Sequence, residues 1–215
     1  MSNLLKSKKH KHIWEKSTHK LEDDFSYYYM ICNQCHKVRF PAIELQKILD
    51  YSKENLFLLV EDWVLLLPFV NDKYIAGITR YQKMLFLIYK KFIIEEEIPT
   101  ENPGFYGYKY GPYSIRIDHA IENMIRNGYI EKKGRKSSQR EIFSITNDGK
   151  NRAKKIHNRL SKKQQDALSA FRKYWDQKSI KGILKYIYAN YKDYTRKSLI
   201  LRNVFPDRVL YRKRG

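Results

Sequence analysis

The feature that most constrains this chain is a change of hydrophobic period in its middle. After Ser114, the residues Ile117, Ile121, Met124 and Ile125 recur at the i, i+4, i+7, i+8 spacing of a helix that buries one stripe. Ser114 is a natural N-cap and Asn127-Gly128 a natural stop. The pattern then switches. Tyr129-Ile130-Glu131-Lys132 and Glu141-Ile142-Phe143-Ser144-Ile145 read as short β segments, separated by the run from Lys133 to Arg140, which predicts a hairpin with a basic tip. Thr146 caps a further helix starting near Asn147.

Helical spacing also dominates on either side. Leu45, Ile48 and Leu49 repeat at helical intervals, and the apolar block from Leu56 to Val70 predicts one or two buried helices. Thr79 is a plausible N-cap for a helix carrying Tyr81, Leu85 and Ile88 on one face. Asn102-Pro103-Gly104 and Tyr110-Gly111-Pro112 bracket an aromatic connector of loop or short strand. Leu168, Phe171 and Trp175, then Ile183, Leu184, Ile187 and Tyr191, predict later helices. The last stripe suits either a homodimer contact or the intramolecular core.

The order helix, turn, capped helix, hairpin, helix is that of a winged helix-turn-helix. The expected fold is therefore mainly α: a winged helix with a two-stranded wing over residues 41–160, a small zinc ribbon or basic arm over 1–40, and a basic C-terminal helical region over 161–215.

Charge narrows the function. The formal net charge is +20, and from Lys150 to Gly215 there are 20 Lys or Arg against four Asp and no Glu. Such an excess attracts polyanions. With the apolar stripe turned inward, Ser114, Arg116, His119, Asn123 and Arg126 head or line the outer side of the capped helix, with Asp118 and Glu122 between them. The hairpin adds Lys132, Lys133, Arg135, Lys136 and Arg140. A helix of this kind fits a major groove about 12 Å wide while a basic tip reaches the neighbouring backbone. The expected function is double-stranded DNA binding, in transcription regulation or genome organisation, and the competing ones are an antitoxin-like protein-interaction module and a transcription-machinery or RNA-binding factor.

Several stretches resemble a known group. They are Tyr74 to Ile88, the heptapeptide Tyr108-Lys109-Tyr110-Gly111-Pro112-Tyr113-Ser114, Asn127-Gly128-Tyr129-Ile130, and Phe143 to Lys150. Together with Leu184-Lys185-Tyr186-Ile187-Tyr188, Tyr191 and Tyr194, they make residues 61 to 195 similar to the Panacea, or SocA-like, antitoxin domain group. The resemblance implies a winged-helix fold and either DNA binding or a protein partner, and it brings no catalytic residue.

The first forty residues lie outside that likeness. His10 and His12 alternate as on a strand, and Cys32-Asn33-Gln34-Cys35 supplies a Cys-x-x-Cys knuckle, so these four are candidate ligands of a structural zinc ion, with His19 and His36 in reserve. Two cysteines this close suit a metal in a reducing compartment more than a structural disulfide. No phosphate loop, nucleophile elbow or His-Glu-x-x-His helix occurs, so no enzymatic activity is expected. The most apolar stretch, Leu56 to Val70, contains Glu61, Asp62 and Pro68 and falls short of the roughly 20 residues a bilayer span needs. With no signal-peptide pattern at its start, the protein is expected in the cytoplasm, associated with the nucleoid.

Overall fold

A computed structural model describes residues 13–20, 25–33, 38–135, 141–196 and 198–200. The chain divides into two compact units, Met1–Leu49 and Asp50–Gly215.

The first unit is built on an antiparallel sheet of order β1 (Trp14–Lys20), β2 (Ser26–Cys32), β3 (Val38–Arg39). Trp14 faces Cys32 and Lys20 faces Ser26 across the first pair. Alternation puts Tyr27 and Tyr29 on one face, where both are buried and pack against Phe40 at ring distances of 6.1 and 5.8 Å. Helix α1 (Ala42–Glu54) starts here and contains the boundary between the units. Its Glu44 carboxylate accepts the Tyr28 backbone N–H at 2.9 Å, and Lys47 donates to the Ser26 carbonyl.

The second unit is organised around α2 (Val60–Phe69), whose residues Trp63 to Pro68 are all buried. A helix that is apolar all round needs neighbours on every side, and the rest of the unit supplies them. A short 3-10 turn follows at Val70–Asp72, then β4 (Ile75–Ala76) and α3 (Ile78–Leu87), which runs through a π-helical turn at Ile88–Phe92 into α4 (Ile93–Glu95). Next come a hairpin of β5 (Tyr106–Tyr108) and β6 (Gly111–Tyr113), α5 (Ile115–Arg126), and a second hairpin of β7 (Ile130–Lys133) and β8 (Ile142–Ile145). Strand β4 pairs with β8, giving an antiparallel sheet of order β4-β8-β7. Helices α6 (Asn147–His157), α7 (Lys162–Asp176) and α8 (Ile180–Asn190) close the unit.

One continuous core runs through these elements, including Leu65, Leu66, Phe86, Ile117, Trp175 and Ile187. Each such large apolar side chain contributes about 1.5–3 kcal/mol of burial. Helix α7 is fastened to the turn before β4 by Arg172, which is 1% exposed. Its Nη2 donates to the carbonyls of Lys73 and Tyr74 at 3.1 and 3.2 Å, and its Nε lies 3.1 Å from the Asp176 carboxylate.

The mainly α winged helix-turn-helix with a zinc ribbon is corrected by this architecture. The fold is mixed α/β, with small antiparallel sheets in both units. Leu168 and Trp175 of α7 and Ile183 and Ile187 of α8 are buried in the same cluster as Leu65 and Leu66, so these helices share that core and do not form a separate basic region. In the first unit, aromatic packing across a three-stranded sheet stands where the ribbon was expected. Among the described residues, no group of three His, Cys, Asp or Glu side chains is placed to hold a metal ion. Of the four expected ligands Cys32 alone is described, buried at the end of β2, and His10, His12 and Cys35 lie outside the described residues, as does His36. His19 lies on β1 with its ring 5.2 Å from that of Tyr27.

Candidate nucleic-acid interface

The predicted surface begins at the N-terminus of α5, and there the structure turns two of its residues inward. Ser114 is fully buried. Its hydroxyl caps α5 by accepting the Ile117 N–H at 3.1 Å and donates to the Pro103 carbonyl at 2.5 Å. Gln82 brackets its backbone, accepting from the Ser114 N–H at 3.1 Å and donating to its carbonyl at 3.0 Å. No part of Ser114 remains for a ligand.

Arg116 is held by two carboxylates. Its Nη1 and Nη2 fork onto Glu61 at 2.7 and 2.5 Å, and its Nε donates to Glu101 at 2.9 Å. Glu101 is almost wholly buried and also accepts the Val60 N–H at 2.9 Å. Burial opposes the guanidinium charge, but the Glu101 and Glu61 carboxylates outweigh it and hold the Arg116 pKa above its ordinary value. Sharing one cation between two acids also has a cost. Burial, with the nearby Glu61 charge adding to it, pushes the Glu101 carboxyl up. Arg116 is therefore a structural clasp between the first turns of α2 and α5.

The remaining helix residues form a thinner stripe. His119 and Arg126 are exposed and Asn123 is half-buried, at the i, i+4, i+7 spacing of one face. Glu122 is exposed beside them, and Asp118 accepts the Tyr113 hydroxyl at 2.9 Å. On the hairpin, Lys132, Lys133 and Arg135 are exposed, with Lys133 Nζ 3.2 Å from the Glu131 carboxylate on the same strand. Lys136 and Arg140 lie outside the described residues.

One cation absent from the predicted set, Arg152, joins this surface from α6. Arg152, Lys154 and Lys155 are exposed. Arg152 lies over the Tyr129 ring at 5.0 Å, which places it beside the turn joining α5 to β7. The junction is tight. Thr146 caps α6 through the Gly149 N–H at 3.1 Å and donates its hydroxyl proton to the Gly128 carbonyl at 2.7 Å. A Cβ on Gly149 would come within 2.1 Å of the Tyr129 carbonyl oxygen. The end of α5, the base of the hairpin and the start of α6 therefore meet at one corner. The run from Lys150 to Lys155 carried the signal for these cations, as basic positions on a helix whose buried positions are Gly149, Ala153 and Ile156.

Arg126, Lys132, Arg135, Arg152, Lys154 and Lys155 have no carboxylate within ion-pair distance among the described residues. Of the two roles open to the α8 stripe, the core takes it: Ile183, Leu184 and Ile187 are buried, and Tyr191 packs edge-on against Phe86 at 5.0 Å. No helix among the described residues is long and apolar enough to cross a membrane. The sequence matches no known protein family and no curated protein, so the likeness read from its motifs rests on those residues alone.

Proposed function

We propose that the protein binds double-stranded DNA through the cationic corner where α5, the β7–β8 hairpin and α6 meet. The observation that carries this reading is that four exposed cations there, Arg126, Lys132, Arg135 and Arg152, have no carboxylate within ion-pair distance among the described residues. Phosphates supply the missing counter-charge, and Arg126 and Asn123 offer donors to base edges or backbone. In this reading the protein works inside the cell on the nucleoid, as a regulator or an organiser of DNA.

A gel-shift comparison of duplex DNA, single strands and RNA tests it. Duplex should be retained most strongly, with log K falling by about 0.9 for each phosphate neutralised as log salt rises. Affinity that ignores salt rejects the reading.

A protein partner of antitoxin type is the second reading. It is favoured by the mixed charge of the α5 stripe, where Glu122 stands among His119, Asn123 and Arg126, and by the likeness to the Panacea group. In that case the hairpin cations leave DNA affinity unaffected.

A further inference from the structure

A cleft of about 570 Å³ opens beside the first half of α3, bounded also by the β5–β6 hairpin, α5 and the start of α8. Its size is ordinary for a small-molecule site. Arg80 and Lys83 both line it, and three residues apart on α3 they share a face. Lys83 is 2% exposed, and its ammonium donates to the Pro112 carbonyl at 2.8 Å. Arg80 Nη2 donates to the Lys178 carbonyl at 2.9 Å. Neither cation has a carboxylate within ion-pair distance among the described residues.

The carboxylates at the same cleft are engaged otherwise. Asp118 accepts the Tyr113 hydroxyl, and Glu141 accepts the Ile78 N–H at 3.1 Å, capping α3. The cleft thus holds two cations whose hydrogen-bond acceptors among the described residues are neutral carbonyls. A buried ammonium lacking a counter-ion is costly, and burial lowers the Lys83 pKa to about 7. Tyr108, Tyr110 and Ile180 also line the cleft, and all three are exposed.

We propose that this cleft binds a small monoanionic organic acid, its carboxylate set against Lys83 and Arg80 and its aromatic or aliphatic body against Tyr108, Tyr110 and Ile180. The carboxylate supplies the counter-ion that the fold leaves out and suits the fork of a guanidinium. Asp118 and Glu141 line the same space, so a second negative charge on the ligand is penalised. The site is separate from the cationic corner and holds whether or not the protein binds DNA.

Binding also moves a proton. Around Lys83 stand Arg80 on its own helix, Tyr108, Tyr110 and Tyr113 on the hairpin, Asp118 on α5, and Glu141 at the head of β8. An anion added to this set favours the ammonium, so above pH 7 the complex takes up protons.

Calorimetric titration of the full chain at pH 8, in two buffers of different ionisation enthalpy, tests the proposal. The probes are 4-hydroxyphenylacetate and hexanoate, each against its neutral amide. At least one acid should bind ten-fold or more tighter than its amide, with proton uptake. Lys83→Met should remove the uptake and at least ten-fold of the affinity, and Arg80→Gln should weaken binding several-fold while leaving the uptake in place. Equal binding of acids and amides, or no binding of either acid, overturns the proposal. So does a Lys83→Met protein that binds with unchanged uptake. Should that variant not fold, the wild-type uptake and the Arg80→Gln affinity decide on their own.

Discussion

Arg116 and Glu61 lie 55 positions apart in sequence and meet as a two-pronged pair, Nη1 to Oε1 at 2.7 Å and Nη2 to Oε2 at 2.5 Å. With Glu101 on the guanidinium's other edge, the pair joins the N-termini of α2 and α5 at a place where Arg116 keeps 17% and Glu101 3% of its side-chain exposure. Removing the cation leaves two carboxylates facing each other out of water. Arg116→Ala should cost about 3–5 kcal/mol of stability in a urea titration, the range for breaking one side of a buried pair. Arg116→Lys should recover little, because an ammonium cannot fork onto both acids. DNA affinity per folded molecule should stay unchanged, and a large selective loss of binding would return Arg116 to the interface.

The cationic corner should respond differently. Replacing Arg126, Lys132 and Arg135 by alanine removes exposed side chains with no described ion pair, so stability should change by no more than about 0.5 kcal/mol. The slope of log K against log salt should flatten by about 0.9 for each of the three that meets a phosphate. A binding curve identical to wild type would favour the protein-partner reading.

Gly149 is required by the approach of α6 to the Tyr129 carbonyl. The obstacle to a Cβ is backbone, 2.1 Å away, with the Ile145 side chain at 2.7 Å. Gly149→Ala should therefore destabilise by about 1–3 kcal/mol despite alanine's better helix propensity. Thermal unfolding measures this, and a rise in Tm would show that the corner yields readily.

Lys83 gives the protein a pH dependence with a definite sign. Burial lowers its pKa to about 7 in the folded protein, from the ordinary lysine value of 10.5 that it has when unfolded. Between these values the unfolded chain binds one more proton, so stability rises with pH across this window, by up to about 1.4 kcal/mol per unit. Below the folded value both states hold the proton and the slope vanishes. Urea unfolding of wild type and Lys83→Met from pH 7 to 9 should show a steeper rise in the wild type. Parallel curves would mean that Lys83 reaches water more easily than its burial implies.

Local structure was legible wherever one segment decided it. Ser114 and Thr146 cap α5 and α6 as their side chains predicted, and α5 ends at Asn127-Gly128. The β7–β8 hairpin lies where the period changed. What escaped the sequence was decided by partners far along the chain. Periodicity sorts α5 by hydropathy, so it put Arg116 outside, although Glu61 and Glu101 make that position an interior one. Thr79 looked like the start of α3, but the helix begins at Ile78, whose N–H is accepted by Glu141 from 63 positions away. The acids at Glu101 and Glu141 gave no local hint of their burial, because a carboxylate enters a core only when its donors arrive with it. The sheet of the first unit was hidden for a related reason: its edge strand, β1, is largely solvated and carries little apolar alternation.

Arg172 sets a limit on how far the second unit can be trimmed. A version cut before α7 would lose α8 with it, leaving the Lys73 and Tyr74 carbonyls without the guanidinium that now receives them and the core without Trp175, Ile183 and Ile187. Anyone seeking a minimal portable fragment must carry the chain through α8, because its seemingly peripheral helices are the fasteners of its middle.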